Sequence, residues 1–231
     1  MFDGYTWSEL GAIFAMQGFA GLILFSVFLL MAMGLAIIFG QMGVINLAHG
    51  EFMILGAYVT YMCSIFFADY MPALFDIYFF VAMILAFIAA GALGMLVEWG
   101  LIRHLYRRPL DTLLATFGLS LILQQIYRST FGAREVGVTV PDWMLGAFQV
   151  TDLVELPING LFVMILALAI FVAIFVMLYR SSWGKQVRAV VQNRQMAGAV
   201  GINTEWTDRL TFGIGCGVAG VAGSAFTMIG S

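Results

Sequence analysis

Charged residues are scarce in this sequence. Only 10% of its 231 residues are Asp, Glu, Lys or Arg, and 62% are hydrophobic, whereas soluble domains carry about 25% charged and about 45–50% apolar residues. A single soluble core cannot hide this much apolar surface, so the surplus must face lipid. The net charge of −3 comes without any basic block, so we expect no nucleic-acid partner.

The residues that build most enzyme sites are also few. The two histidines, His49 and His104, form neither an HExxH motif nor a cluster with cysteine that could hold zinc. Cys63 and Cys216 lie alone in apolar runs, as small core residues do. We therefore predict no catalytic residue and no metal site in this chain.

A nucleotide-binding loop is missing as well. The only lysine, Lys185, is followed by Gln186 where a P-loop needs Ser or Thr, and Tyr179 stands where its first glycine belongs. If ATP drives this protein, a separate subunit must bind and hydrolyse it. The chain itself is therefore not expected to be an enzyme.

Long apolar runs dominate what the sequence does contain. A helix needs about 20 apolar residues to cross the hydrocarbon region, and the alternating strands of a membrane barrel are missing. We predict an all-α, polytopic membrane protein that forms one transmembrane domain over residues 1–231. Its six helices are expected at about 12–39, 52–68, 77–100, 112–131, 159–179 and 209–229.

The basic residues orient these helices. If the helices alternate in direction, eight of the ten Lys and Arg fall on one side, which the positive-inside rule makes cytoplasmic. Only Arg128 and Arg134 fall on the other side, so we expect the N-terminus outside. The eight cytoplasmic residues are Arg103, Arg107, Arg108, Arg180, Lys185, Arg188, Arg194 and Arg209.

A polar cluster interrupts the apolar sequence between the first two predicted helices. The stretch GLAIIFGQMGVINLAHGEFMILGAY (34–58) contains Gln41, Asn46, His49 and Glu51. Ionisable residues within a membrane are costly and mark transport pathways, and one straight helix cannot present all four on one face. We predict a broken helix near residues 40–51, toward the cytoplasm, in which Glu51 starts the next helix. The break is either an inner gate or a structural joint.

Three other regions carry weaker signals. The cytoplasmic segment 180–208 has apolar residues at helical spacing and is expected to form an amphipathic helix that ends at Gly201. Thr204 could cap the helix after it, and Glu98 is expected either to snorkel at the helix end or to pair with Arg103. The external connection 131–160 is either an interfacial cap around Trp143 or a docking site for a receptor. Small residues predicted to pack the last helix against others are Gly213, Gly217 and Gly223.

Two stretches carry a resemblance to a known family. Residues 34–58 resemble the signature region of the permease subunits of branched-chain amino acid type ABC importers. RAVVQNRQMAGAVGINTEWTDRLTFGIGCGVAGVAG (188–223) resembles their cytoplasmic coupling segment. Residues 102–125 and 134–146 are more similar to the urea-type permeases of the same family.

The resemblance implies a permease subunit of an ATP-binding cassette importer in the bacterial inner membrane. It implies a second related permease, two cytoplasmic ATPase subunits and an external binding protein as partners, with ATP bound by the partners and no cofactor in this chain. Members of the family continue through further membrane helices, so we expect the chain to be incomplete beyond Ser231. Residues 184–201 would be the coupling helix, with docking candidates Arg188, Gln192, Asn193, Arg194, Met196 and Gly201.

The urea-type resemblance makes urea or a short amide the expected substrate. The alternative is a branched-chain amino acid, whose zwitterion favours a carboxylate partner and an apolar pocket. The alternative of another class is a passive channel or secondary carrier that works alone. Candidates for the substrate pathway or gate are Gln41, Asn46, His49, Glu51, Thr116, Gln124 and Gln125.

Overall fold

Helices account for nearly all of the structure. The computed structural model describes residues 6–106, 108–132, 136–151 and 153–229. Six helices within these ranges are long and apolar enough to cross a membrane, so the predicted all-α, polytopic fold is confirmed. Some residues used for the predictions lie outside the described ranges, namely Arg107, Arg134, Glu135 and Ser231.

The long helices agree with the predicted ones to within five residues at each end. Two shorter helices, α6 (Ser182–Gln192) and α7 (Arg194–Ala199), lie between the fifth and the last of them. The long helices are α1 (Trp7–Met42), α2 (His49–Tyr70), α3 (Tyr78–Gly100), α4 (Pro109–Phe131), α5 (Ile158–Arg180) and α8 (Thr204–Thr227).

Local backbone chemistry sets both ends of α1. Thr6 and Glu9 form a capping box at its start, in which the Glu9 carboxylate accepts the N–H of Thr6 at 2.7 Å. Gly43 follows the last helical residue with a φ of 63°, and its N–H donates to the carbonyl of Phe39 at 2.8 Å. Because residues with a Cβ avoid this left-handed conformation, the helix ends here.

The segment 180–208 contains two short helices rather than the single one predicted for residues 184–201. The chain bends at Asn193, whose backbone is extended and whose side-chain oxygen accepts the N–H of Met196 at 3.0 Å. An asparagine that caps a new helix in this way ends the previous one. The prediction of one continuous helix was therefore wrong, although the segment is helical on both sides of the bend.

Gly201 ends the second of these helices, as predicted. Its φ is 90°, its own N–H donates to the carbonyl of Gly198 at 3.1 Å, and the N–H of Ile202 donates to the carbonyl of Ala197 at 3.0 Å. These two hydrogen bonds form a Schellman motif, which requires a left-handed residue at this position.

Asn203, rather than the predicted Thr204, caps α8. Its side-chain oxygen accepts the N–H of Trp206 at 3.0 Å. Both residue types favour this position, and asparagine is at least as good a cap as threonine. The helix therefore starts one residue earlier than a Thr204 cap would allow.

A β-hairpin lies in the connection 131–160, which was predicted only as a long loop. Its strands, β1 (Ala147–Thr151) and β2 (Val154–Pro157), pair antiparallel with Phe148 opposite Leu156. Strands this short give too few alternating positions to be recognised from sequence. The second strand packs against α1, so the hairpin is held against the helices.

Trp143 fastens the same connection to the N-terminal ends of α3 and α5. Its Nε1 atom donates to the carbonyl of Asp76 at 2.8 Å. Its ring stacks parallel to that of Phe80, with centroids 5.9 Å apart, and meets Phe162 edge-on at 5.1 Å. The connection is therefore packed onto the helices around Trp143.

The central element is α8, with α1, α2 and α3 packed around it. All of its residues from Thr211 to Ala225 except Ile214 are buried. Of the glycines predicted to pack this helix, Gly213 and Gly217 face α3 and Gly223 faces α2.

Neighbouring helices approach α8 most closely where both sides lack a side chain. A Cβ on Gly215 would lie 2.7 Å from the carbonyl oxygen of Gly34 in α1. A Cβ on Gly56 in α2 would lie 2.6 Å from the carbonyl carbon of Gly220. Both distances are shorter than a real Cβ tolerates, so these contacts depend on glycine, as close helix packing in membranes often does.

Candidate functional site

The break between α1 and α2 covers residues 43–48, which are not helical. Backbone in lipid has no water to bond, so its N–H groups need partners within the protein. The side chain of Asn46 accepts the N–H of Ala48 at 3.0 Å, and the hydroxyl of Thr116 in α4 accepts the N–H of Leu47 at 3.2 Å. The break is therefore held in place by its own asparagine and by α4.

Glu51 lies in the first turn of α2, as predicted, and joins this helix to α4. Its Oε1 atom accepts hydrogen bonds from the hydroxyl of Ser120 at 2.8 Å and from the amide of Gln124 at 2.7 Å. The hydroxyl of Tyr127 donates to the main-chain carbonyl of Glu51 at 3.0 Å. Glu51 is only 5% exposed, so these contacts offset part of the cost of burying a polar group.

This Glu51 cluster (Glu51, Ser120, Gln124 and Tyr127) lies at mid-depth in the bundle. Ser120 is the middle residue of the 23-residue α4 and is therefore about 16 Å from either end. Gln41 lies at the end of α1, whereas Glu51 lies at mid-depth. The reason is that non-helical chain rises up to about 3.3 Å per residue, so the break carries the chain from the end of α1 back to mid-depth.

Gln41 belongs to a second cluster, on the side of the bundle where α7 and the start of α8 lie. Its Nε2 atom donates to Oδ1 of Asp208 at 2.9 Å, and Arg194 forms a salt bridge with the other oxygen of that carboxylate. Asp208 is fully buried near the start of α8. One carboxylate therefore ties α1, α7 and α8 together.

Glu98 forms the neighbouring polar contact on this side. It accepts hydrogen bonds from the hydroxyl of Tyr106 at 2.9 Å and from Nε of Arg209 at 3.3 Å. Arg103, its predicted partner, instead forms an exposed salt bridge with Glu205 at 3.1 Å. The predicted pair was wrong because α8 brings a different arginine against α3.

Tyr106 lies between these two carboxylates, and the guanidinium carbon of Arg194 is 5.2 Å from its ring centre. Burial raises the pKa of Tyr106 well above its usual value of 10, and the negative charges of Asp208 and Glu98 raise it further. The phenol therefore stays protonated at physiological pH and continues to donate to Glu98.

The other pathway candidates lie apart from Glu51. His49 is buried on the α1 side, with its Nε2 atom 3.1 Å from the carbonyl oxygen of Met31. Gln125 is exposed on α4, where its amide donates to the hydroxyl of Ser129 at 3.4 Å. Along one face of α4, Gln124 bonds to Glu51, and Thr116 bonds to Leu47, the residue after Asn46.

The docking candidates differ in what their side chains already contact. Arg188 donates to the carbonyl of Leu178, and its guanidinium lies 5.7 Å from the ring centre of Tyr179. Arg194 is bound to Asp208. The other docking candidates are exposed, namely Gln192, Asn193, Met196 and Gly201, and so are the apolar Val191 and Val200.

Ser120 and Tyr127 belong to the site although neither was a site candidate. A signal for Ser120 exists in the sequence, because Thr112, Thr116, Ser120 and Gln124 recur every four residues within an apolar helix. Residues four apart share one helix face, so the pattern indicates a polar stripe. It does not indicate which helix the stripe faces.

A cavity of about 650 Å³ lies beyond the Glu51 cluster, toward the C-terminal end of α2. It is bounded by α2, the end of α8 and residues 136–138. Tyr58 in its wall is seven residues after Glu51, which corresponds to about 10 Å along the helix. Most of the lining is apolar or aromatic and includes Met53, Ile54, Ala57, Tyr58, Tyr61 and Phe226.

Comparison with known proteins gives a consistent result. One family profile matches residues 18–230 and is described as "Branched-chain amino acid transport system / permease component". The high-affinity branched-chain amino acid transport system permease protein LivH of Salmonella typhimurium is 33% identical over 229 residues, which cover 94% of this chain and 71% of the relative. LivH of Escherichia coli K12 is 31% identical over 229 residues, which again cover 94% of this chain and 71% of the relative. The corresponding BraD permease of Pseudomonas aeruginosa is 28% identical over 218 residues, 87% of this chain and 67% of the relative. No solved structure matches the chain.

Proposed function

This chain belongs to the family of permease components of branched-chain amino acid transport systems, and on this premise we propose that it is the membrane-spanning subunit of an ATP-driven importer for branched-chain amino acids. The match of the family profile over residues 18–230 carries the proposal. The named relatives transport branched-chain amino acids and give no support to urea. They favour a branched-chain amino acid, the alternative substrate, over urea, the substrate expected first.

The proposed importer needs partners that supply energy and substrate. We infer a second related permease, two cytoplasmic ATPase subunits that bind the ATP, and an external binding protein that delivers the amino acid. The protein is a multi-pass membrane protein, and we propose that its N-terminus is outside. The exposed apolar side chains of α6 and α7, Val191, Met196 and Val200, suit contact with a soluble partner better than contact with water.

Coupling would pass from α7 to the central helix. When an ATPase subunit moves α7, the salt bridge between Arg194 and Asp208 would move the start of α8, around which α1, α2 and α3 pack. Gln41, bound to the same carboxylate, lies at the end of α1 just before the break. The contacts of Asp208 therefore connect the docking segment with the helix that leads to Glu51.

Uptake by the complete complex tests this function. Proteoliposomes that contain the permeases, the ATPases and the binding protein should accumulate radiolabelled leucine when ATP is supplied, and radiolabelled urea only at the background level. Urea uptake without leucine uptake would contradict this proposal and support urea as the substrate. Rapid leucine uptake by the permease alone, without ATPases or ATP, would show a passive channel or secondary carrier instead.

Replacing Gly201 with alanine should weaken docking. At a φ of 90° a Cβ costs roughly 1–2 kcal/mol, so the Schellman motif should open and the exposed residues of α7 should lose their fixed orientation. We expect less ATPase subunit to co-purify with the permease and a slower ATP-dependent uptake of leucine.

The control is Gly198→Ala, the same substitution in the same helix. Gly198 is helical and no atom lies within 4 Å of a Cβ there, so alanine should be neutral or stabilising by up to about 1 kcal/mol. Equal docking by both variants would contradict the role of the left-handed turn.

A further inference from the structure

Glu51 is bonded on one oxygen only. Ser120 and Gln124 both donate to Oε1, at 2.8 Å and 2.7 Å. The other oxygen, Oε2, is buried and has no hydrogen-bond partner among the described residues. A carboxylate can accept about four hydrogen bonds, and leaving part of a buried polar group unpaired is costly. The free oxygen is therefore suited to a donor that is not part of this chain.

Asn46 supplies a second unpaired group in the break that precedes α2. It is 3% exposed, its Oδ1 atom accepts the N–H of Ala48, and its Nδ2 atom has no hydrogen-bond partner among the described residues. The next residue, Leu47, is bonded to Thr116 of α4, one helical turn before Ser120. A free donor and a free acceptor are thus buried five residues apart in the chain, on either side of the start of α2.

The unpaired ring nitrogen of His49 does not belong to this group. The other ring nitrogen of His49 contacts the carbonyl of Met31 in α1. On an α-helix, positions two apart point about 200° away from each other, so His49 and Glu51 face opposite sides of α2.

Aromatic rings connect the cavity wall with the Glu51 cluster. The ring of Tyr58 stacks on that of Phe131, with centroids 4.0 Å apart, and tilts against Tyr127 at 5.5 Å. Tyr127 in turn donates to the main-chain carbonyl of Glu51. Because Tyr58 also lines the cavity, the three rings form an aromatic layer between the cavity wall and the carboxylate.

We propose that the free oxygen of Glu51 receives the α-ammonium group of the amino acid substrate at mid-depth, after the substrate has passed the layer formed by Tyr58, Tyr127 and Phe131. The inference rests on the proposed function. The unpaired amide of Asn46 is a donor of the kind that the substrate carboxylate requires. The apolar cavity accommodates a branched side chain before the aromatic layer is passed.

Charge makes this contact selective. A hydrogen bond between an ammonium group and a carboxylate is roughly twice as strong as one between neutral groups. Urea and short amides carry no ammonium group, so Glu51 would favour an amino acid over them. The geometry of Glu51 therefore gives a physical reason for the substrate class that the relatives suggest.

Replacing Glu51 with glutamine tests the contact in the complete complex. The amide oxygen of glutamine can still accept from Ser120 and Gln124, so the α2–α4 contact should be kept while the charge is removed. We expect leucine uptake per ATP hydrolysed to fall by about tenfold. The yield of complex and the ATP hydrolysis stimulated by the binding protein should stay within about twofold of wild type.

Two further variants separate recognition from structure. Glu51→Asp keeps the charge and should recover a substantial part of the uptake, whereas Gln124→Leu removes one hydrogen bond from Oε1 and should affect uptake less than Glu51→Gln does. Unchanged uptake per ATP in Glu51→Gln, or equal losses in Glu51→Gln and Gln124→Leu, would overturn the inference. A wild-type complex that takes up no leucine would instead overturn the proposed function.

Discussion

Replacing Gly56 with alanine should prevent α2 from packing against α8, so that little folded permease accumulates. The new Cβ would lie 2.6 Å from the carbonyl carbon and 2.7 Å from the Cα of Gly220. Overpacking usually costs about 1–3 kcal/mol when side chains can shift. Here the obstacle is backbone, so we expect about 3 kcal/mol or more. The hydrogen bond between Thr60 and Ser224, one turn further along, should also be lost.

This expectation can be measured by the yield of monodisperse protein from detergent-solubilised membranes and by its thermal unfolding midpoint. Gly50→Ala is the matched control on the same helix, because the nearest atom to its Cβ is the terminal methyl of Met31 at 3.9 Å. Alanine there should be neutral or slightly stabilising. A Gly56→Ala protein with wild-type yield and melting temperature would show that the two helices do not meet as described.

Replacing Arg194 with glutamine should uncouple ATP hydrolysis from uptake. Asp208 is fully buried, and without Arg194 its charge would keep only the hydrogen bond from Gln41. Breaking a buried ion pair on one side costs about 3–5 kcal/mol. Arg194 is itself 44% exposed, so we expect the lower end of that range. Leucine uptake per ATP hydrolysed should fall steeply, because α7 would no longer move α8.

Arg103→Gln is the matched control for this variant. Its salt bridge with Glu205 lies on the same side of the bundle but is exposed, and such pairs contribute about 0–1 kcal/mol. We expect near-normal uptake. In the double variant Arg194→Gln with Asp208→Asn, the unpaired charge is gone, so the melting temperature should recover while uptake per ATP stays low. Recovery of uptake as well would show that Arg194 stabilises the fold without transmitting movement.

Local signals were sufficient to predict the long helices and the break. Apolar runs of about 20 residues have to cross the membrane or be buried in the protein. A glycine such as Gly43 can end a helix whatever surrounds it. The same kind of signal predicted the turn at Gly201. Asn193 and Asn203 cap the helices that follow them. At both positions the helix therefore begins at a residue that differs from the predicted boundary.

Partners distant in sequence could not be predicted in this way. Glu51 bonds to Ser120 and Gln124, 69 and 73 positions away, and Gln41 bonds to Asp208, 167 positions away. The polar stripe on α4 is visible in the sequence, but its period states only that the residues share a face. Which helix that face meets depends on how all the helices pack together.

The sequence by itself determined that this protein is a polytopic helical membrane protein with a broken helix between its first two spans, because burial of apolar runs and local backbone geometry depend on neighbouring residues alone. Only the tertiary structure decided that Gln41 and Glu51, ten residues apart, serve different clusters. The physical reason is that the non-helical residues 43–48 return the chain to mid-depth, where α4 supplies the donors to Glu51. It is also the packing of glycines around α8 that brings the remaining helices close enough to hold this arrangement.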